Sequence, residues 1–111
     1  MILYHGTSLD RAVKIMAEGV IRVAPCGVKA VSMTDDPRVA HYFAALAADC
    51  DNSAPVILPL DADRLTADGY DLEPFSDPVW GDDKCAWERE TVCWRDIPLS
   101  YAAMDATRPE A

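Results

Sequence analysis

His5, Gly6 and Thr7 set a ring nitrogen, a permissive backbone and a hydroxyl side by side after a short apolar run, Ile2-Leu3-Tyr4. That succession suits the holding of a flat, polar small molecule. An imidazole can donate or accept a hydrogen bond, and a glycine lets a ligand come against backbone N–H and C=O groups that a Cβ would obstruct. A lone His-Gly pair has a plainer reading, a surface or core histidine beside an ordinary turn glycine. Two later stretches shift the balance. Val28 to Met33 has strand character and puts Ser32 near a strand end, with Tyr42 on the alanine-rich helix that follows. Thr91 to Trp94 is β-branched and aromatic, a strand with Glu90 at its entrance and Glu88 two residues earlier. A carboxylate at a strand mouth is well placed to face a cleft. The bland alternatives are a core ring for Tyr42, a strand-end cap for Ser32 and a solvated carboxylate for Glu88. Glu90 is harder to explain by solubility alone.

The elements that would position these groups follow from periodicity and punctuation. Ile2 to Tyr4 reads as a strand that stops at a polar elbow, His5 to Thr7, and Ser8 as the N-cap of a helix ending at Gly19. On that helix Leu9, Ala12, Val13, Ile15 and Met16 gather on one face, expected to lie against a sheet, while Asp10, Arg11, Lys14 and Glu18 mostly fall elsewhere. Val20 to Val23 is a short strand or an extended connection, broken by Pro25, Cys26 and Gly27. Thr34 or Asp35 can cap a helix from about Asp36 to Ala48, with Pro37 in its first turn and Val39, Tyr42, Phe43 and Leu46 roughly on one face. Pro55 to Leu60 is an apolar strand bounded by prolines, suited to a sheet edge. Asp61 to Trp80 accumulates acids, glycine and proline and reads as loop. Asp96 to Leu99 is expected to close the sheet.

Length and composition narrow the class. The chain has 111 residues, enough for one core and too few for two. A single domain is expected over 1–101, with 102–111 as a polar tail. Half the residues are apolar and about a quarter charged, ordinary for a soluble globular protein. No apolar run reaches membrane-span length, and the N-terminal residues lack the basic and apolar segments of a leader, so a cytoplasmic setting and no membrane are expected. Cys26, Cys50, Cys85 and Cys93 are widely spaced, with no pairing or histidine at metal spacing. Free buried thiols and no metal are the expectation. A net charge of −9, with 19 acidic against 10 basic residues, disfavours nucleic acid and suits a neutral or basic protein partner. The glycine-rich turn of dinucleotide-binding dehydrogenases is missing.

Taken together, Leu3-Tyr-His-Gly-Thr-Ser8, a helix ending in glycine, Val31-Ser-Met-Thr34, Ala40-His-Tyr-Phe-Ala44 and a glutamate opening a late strand resemble the NAD-binding core of the ADP-ribosyltransferase superfamily. The branch is the one that opens with His-Gly-Thr, to which diphtheria-type toxins and poly(ADP-ribose) polymerases belong. The resemblance spans roughly Ile2 to Leu99. It implies a compact α+β fold with a split β-sheet core flanked by short helices, and NAD as a substrate. It further implies His5 on the adenosine-side ribose, Gly6 gripping the nicotinamide carboxamide within the His5-Gly6-Thr7 motif, Tyr42 stacked on the nicotinamide ring and Glu90 on the adjoining ribose. Ser32 falls where relatives carry a second ring-packing tyrosine. Glu88 stands where arginine-modifying relatives place the first glutamate of Glu-x-Glu, although those open with arginine.

The implied reaction is mono-ADP-ribosyl transfer to a macromolecular acceptor, a protein being favoured, by a small effector, toxin or phage-encoded modifier. Breaking the ribose–nicotinamide bond creates an oxocarbenium-like sugar that a carboxylate such as Glu90 would stabilise, as carboxylates do in glycoside cleavage. Glu88 could orient or deprotonate the acceptor. Two rivals stand beside it. An RNA 2′-phosphotransferase shares a related fold but should cluster Arg and Lys for the RNA phosphate. A non-catalytic acidic binder or inhibitor on the same fold would have no need of Glu90.

Overall fold

A computed structural model of the chain describes residues 1–25, 28–75 and 89–103. Strand β1, Ile2–Ser8, runs straight through His5, Gly6 and Thr7 into helix α1, Leu9–Glu18. The expected polar elbow is therefore strand, because Pro55–Asp61, strand β4, pairs with every residue of β1 from Ile2↔Asp61 to Ser8↔Pro55. Ser8 caps α1 as expected, its side chain accepting from the Arg11 N–H, and Gly19 ends the helix at φ 73°, in the left-handed region where a glycine costs least.

Strand β2, Val20–Ile21, leads to β3, Val31–Thr34, and then to helix α2, Pro37–Asp51. Asp36, not Thr34 or Asp35, is the cap of α2 and accepts from the Arg38 N–H. Thr34 Oγ1 instead accepts from the Asp36 N–H. After β4 comes a helix that the acidic composition concealed, α3, Ala62–Ala67. Asp61 caps it and Asp63 sits in its first turn, so two acids that read as loop formers serve the helix N-terminus. Its Leu65 is fully buried, worth roughly 1.5–3 kcal/mol. Two short strands, β5 at Glu73–Pro74 and β6 at Glu90–Cys93, precede β7, Ile97–Pro98, and a 3₁₀ turn, Leu99–Tyr101.

The result is an α+β architecture with a five-stranded antiparallel sheet in the order β4-β1-β3-β6-β5. β4 is an edge strand, as its prolines foretold. The segment 96–99 does not close this sheet; β7 pairs with β2 in a separate two-stranded sheet. Residues directly opposite each other in the ladders share a face. One face carries Leu3, Val31, Met33, Leu60 and Cys93, which pack with Ile15, Ile21, Leu65 and Ile97 as the core. Helix α2 covers the other face through its smallest residues, Ala40, Ala44 and Ala48, with Val39 beside them.

One expectation about a helix face needs correction. On α1 only Ala12 and Ile15 are buried, while Leu9, Val13 and Met16 are exposed, because the sheet meets the helix along a narrow stripe. On α2, Val39 is buried while Tyr42 and Leu46 are exposed. The reason is at Gly6. A Cβ there would lie 2.2 Å from the Ala40 carbonyl oxygen and 2.8 Å from the Ala44 nitrogen, so helix and strand touch backbone to backbone and only small residues fit between. Cys93 is a buried free thiol, but Cys50 is exposed; Cys26, Cys85 and the segment from Met104 onward lie outside the described residues. Among the described residues no helix is long and apolar enough to cross a membrane.

Candidate active site

The central feature is a ladder that stops. β1 is seven residues long, yet it pairs with β3 at a single register, Tyr4↔Thr34, before the two strands part. In an antiparallel strand alternate residues send their N–H and C=O groups to opposite sides. Over His5 to Ser8, half of the β1 backbone groups therefore face β4 and the others face the gap toward β3.

His5 bridges that gap. Its Nδ1 lies 2.8 Å from the carbonyl oxygen of Ser32, replacing a ladder bond that the parted strands cannot make. Because a carbonyl only accepts, Nδ1 carries the proton and Nε2 is left as an acceptor in the neutral ring. The ring is also held neutral. Burial pushes its pKa below the ordinary value, the Ser32 carbonyl works in the opposite direction, and the nearby Arg11 guanidinium lowers it again. A neutral imidazole with a free Nε2 is suited to accept a hydrogen bond from a hydroxyl.

Ser32 also engages Glu90. Its Oγ donates to Glu90 Oε2, so one residue holds His5 with its main chain and the carboxylate with its side chain. The register explains the reach. Thr34 pairs with Glu90 and Ser32 with Val92, making Ser32 and Glu90 diagonal neighbours on one face of the sheet. Arg89, immediately before, has φ 49° and pairs with Asp35 Oδ2, fixing how the chain enters β6. A non-glycine residue there costs on the order of 1 kcal/mol.

On the core side of the gap lies a cavity of about 500 Å³, lined by His5, Gly6, Thr7 and Ser32 of the two parting strands. Ile15 and Ile21 give it apolar walls. Arg11 and Lys14 enter from α1, and Arg22 from the end of β2. Alternation along β1 sends His5 and Thr7 to this side, whereas Gly6, Ser32 and Glu90 share the side facing α2. The His5 ring and the Glu90 carboxylate thus lie toward opposite faces of the sheet, joined through Ser32.

Of the residues singled out in the sequence, His5, Gly6, Thr7 and Ser32 meet at this cavity, and Glu90 joins them through the Ser32 hydroxyl. Gly6 is needed first for the approach of α2, a packing demand distinct from ligand access. Tyr42 is not among the cavity walls. It lies two residues from both Ala40 and Ala44, about half a turn away from the face laid on the sheet, and its ring meets that of Phe43 at 5.9 Å. Glu88 lies outside the described residues. Sequence reasoning missed Arg11, Lys14 and Arg22 as site residues, assigning the first two only to the helix's polar face. The available signal was their spacing: Arg11, Lys14, Ile15 and Glu18 recur at three, four and seven residues and so share one helical face. No protein-family model matches the chain, and no curated protein matches it in sequence.

Proposed function

We propose that the chain is a mono-ADP-ribosyltransferase, taking ADP-ribose from NAD and passing it to a protein acceptor with release of nicotinamide. The observation that carries this reading is the junction of a neutral histidine and a glutamate through one serine, at an opening between two strands that leads into a cavity. Supporting it is the order of the motifs along the chain, which resembles that superfamily.

In this reading the nicotinamide end of NAD enters the gap beside Gly6. His5 Nε2 accepts a ribose hydroxyl, and the apolar side chains of Ile15 and Ile21 shelter the bound nucleotide in place of a tyrosine pair. The C1′–nitrogen bond breaks with its electron pair leaving on nicotinamide, which departs neutral. The sugar becomes positively charged, and Glu90, oriented by Ser32, stabilises that charge and binds the neighbouring hydroxyl. The acceptor nucleophile then bonds to C1′ and its proton passes to a base or to water. The action would be in the cytosol, where NAD and protein acceptors meet.

The cations lining the cavity favour one rival, an RNA 2′-phosphotransferase, which would use them on a phosphate. Incubation of the purified protein with adenylate-labelled NAD, in a cell lysate and separately with 2′-phosphorylated RNA, distinguishes the two. The proposal expects label on protein, abolished by Glu90→Gln. Loss of the RNA 2′-phosphate without protein labelling would establish the rival, and no turnover of NAD in either arm would refute both.

A further inference from the structure

The cavity beside His5 has a charge pattern that the whole chain does not. In a protein of net charge −9, three of the ten basic residues, Arg11, Lys14 and Arg22, line this one cavity, against a single carboxylate, Glu18, among the described residues. Two of the three are already held. Arg11 Nε lies 2.8 Å from Asp51 Oδ2, and Arg22 reaches Glu18 at 3.0 Å and Asp96 at 3.3 Å.

Lys14 is different. Spacing alone would pair it with Glu18, four residues on. Glu18 is taken by Arg22, and Lys14 has no ion pair or hydrogen bond among the described residues. An unclaimed ammonium on a cavity wall, flanked one turn away by a guanidinium that is fixed in place, leaves a positive site to be met by something from outside. An ammonium binds phosphate oxygens as a point charge from several directions, which suits a flexible linkage.

We infer that the α1 wall of the cavity is an anion-holding surface and that Lys14, supported by Arg11, binds the diphosphate joining the two nucleosides of the ligand whose ribose is held at His5. This rests on the reading of the cavity as the NAD site and adds which wall takes the phosphates. It also explains why an acidic protein concentrates cations here: the local charge offsets the repulsion that a doubly negative linkage would meet from the rest of the surface.

The test is calorimetric binding of NAD, ADP-ribose, nicotinamide riboside and inorganic pyrophosphate to the wild type, Lys14→Ala, Lys14→Glu and Lys14→Arg, at low and at physiological salt. Lys14 is exposed, and the fold of each variant is checked by circular dichroism. The inference expects NAD and ADP-ribose to weaken about tenfold in Lys14→Ala and further in Lys14→Glu, as for loss of one charge-assisted bond. Lys14→Arg should bind nearly as the wild type does. Nicotinamide riboside, which has no phosphate, should be unaffected by any of them, and added salt should narrow the gap between wild type and Lys14→Ala. NAD bound equally by wild type, Lys14→Ala and Lys14→Glu overturns the inference and leaves the transferase reading standing. Pyrophosphate bound through Lys14, with no binding of NAD or ADP-ribose, overturns the transferase reading and keeps the anion wall. Binding of none of the four overturns both.

Discussion

Replacing Gly6 by alanine pits two effects against each other. Gly6 is not in the left-handed region, so alanine would restrict the unfolded chain at no backbone cost and on that ground stabilise by about 0.4–1 kcal/mol. Against this, the new Cβ would sit 2.2 Å from the Ala40 carbonyl oxygen and 2.8 Å from the Ala44 nitrogen. Both are backbone atoms of a helix packed along its length, and neither can move without moving α2. Relieving the clash means a retreat of roughly 1 Å, enough to forfeit a quarter to a half of each dispersion contact along the Ala40, Ala44 and Ala48 seam. Overpacking of this kind costs about 1–3 kcal/mol, and the loosened seam places the case at the upper end. The expected net effect is a destabilisation of about 2 kcal/mol, a large share of the roughly 5–15 kcal/mol that holds a domain of this size. Urea unfolding at neutral pH reads it as a lowered midpoint at unchanged slope. An alanine variant as stable as the wild type would refute the backbone-to-backbone contact, and with it the reason that α2 presents alanines and not Tyr42 to the sheet.

Other consequences follow from the same geometry. Ser32→Ala removes the hydroxyl that holds Glu90 and leaves the carbonyl that holds His5; on the proposed transferase reading, kcat for ADP-ribosyl transfer should fall roughly tenfold to a hundredfold with the KM for NAD little changed. On the same proposed reading, Tyr42→Ala should leave the KM for NAD within about twofold, because the ring is not a wall of the cavity, and a loss beyond tenfold in steady-state assays would contradict that placement. The half-buried His5 has a folded-state pKa below its unfolded value of about 6.5. Stability from this group is therefore complete above that pH and is lost as pH falls through the folded value, since the unfolded chain takes up a proton that the folded ring resists. Urea titrations from pH 7 to pH 5 should show the wild type losing stability more steeply than His5→Gln; parallel curves would show that the ring is not held neutral.

Local signals carried much of the architecture. The caps at Ser8 and Gly19, the proline opening α2, the edge strand at Pro55–Asp61 and Glu90 at the mouth of β6 were legible because each depends on residues within a few positions of one another. What was not legible depends on partners far away in sequence. The His5 to Thr7 stretch is strand only because β4 pairs with it, and nothing in five residues can reveal a partner fifty positions on. The packing face of α2 was not legible because hydrophobicity does not single out alanine, whereas the clearance above Gly6 admits only small residues. α3 was hidden because aspartates that cap a helix look locally like those that make a loop. The sequence singled out His5, Gly6, Thr7, Ser32 and Glu90 without showing how they connect, and it singled out Tyr42, which is not a wall of the cavity. The serine that links the histidine to the carboxylate looked like a missing aromatic wall, and the cations of the cavity looked like a solvated helix face.

The most direct test of the account is a crystal structure of the Glu90→Gln variant with NAD. The account predicts the nicotinamide ribose in the gap between β1 and β3 beside the residue-90 side chain, a hydroxyl of the adenosine-side ribose within hydrogen-bond distance of His5 Nε2, and the diphosphate along α1. A ladder between β1 and β3 that continues past Tyr4↔Thr34, leaving no gap, or a nucleotide bound away from His5, would contradict it.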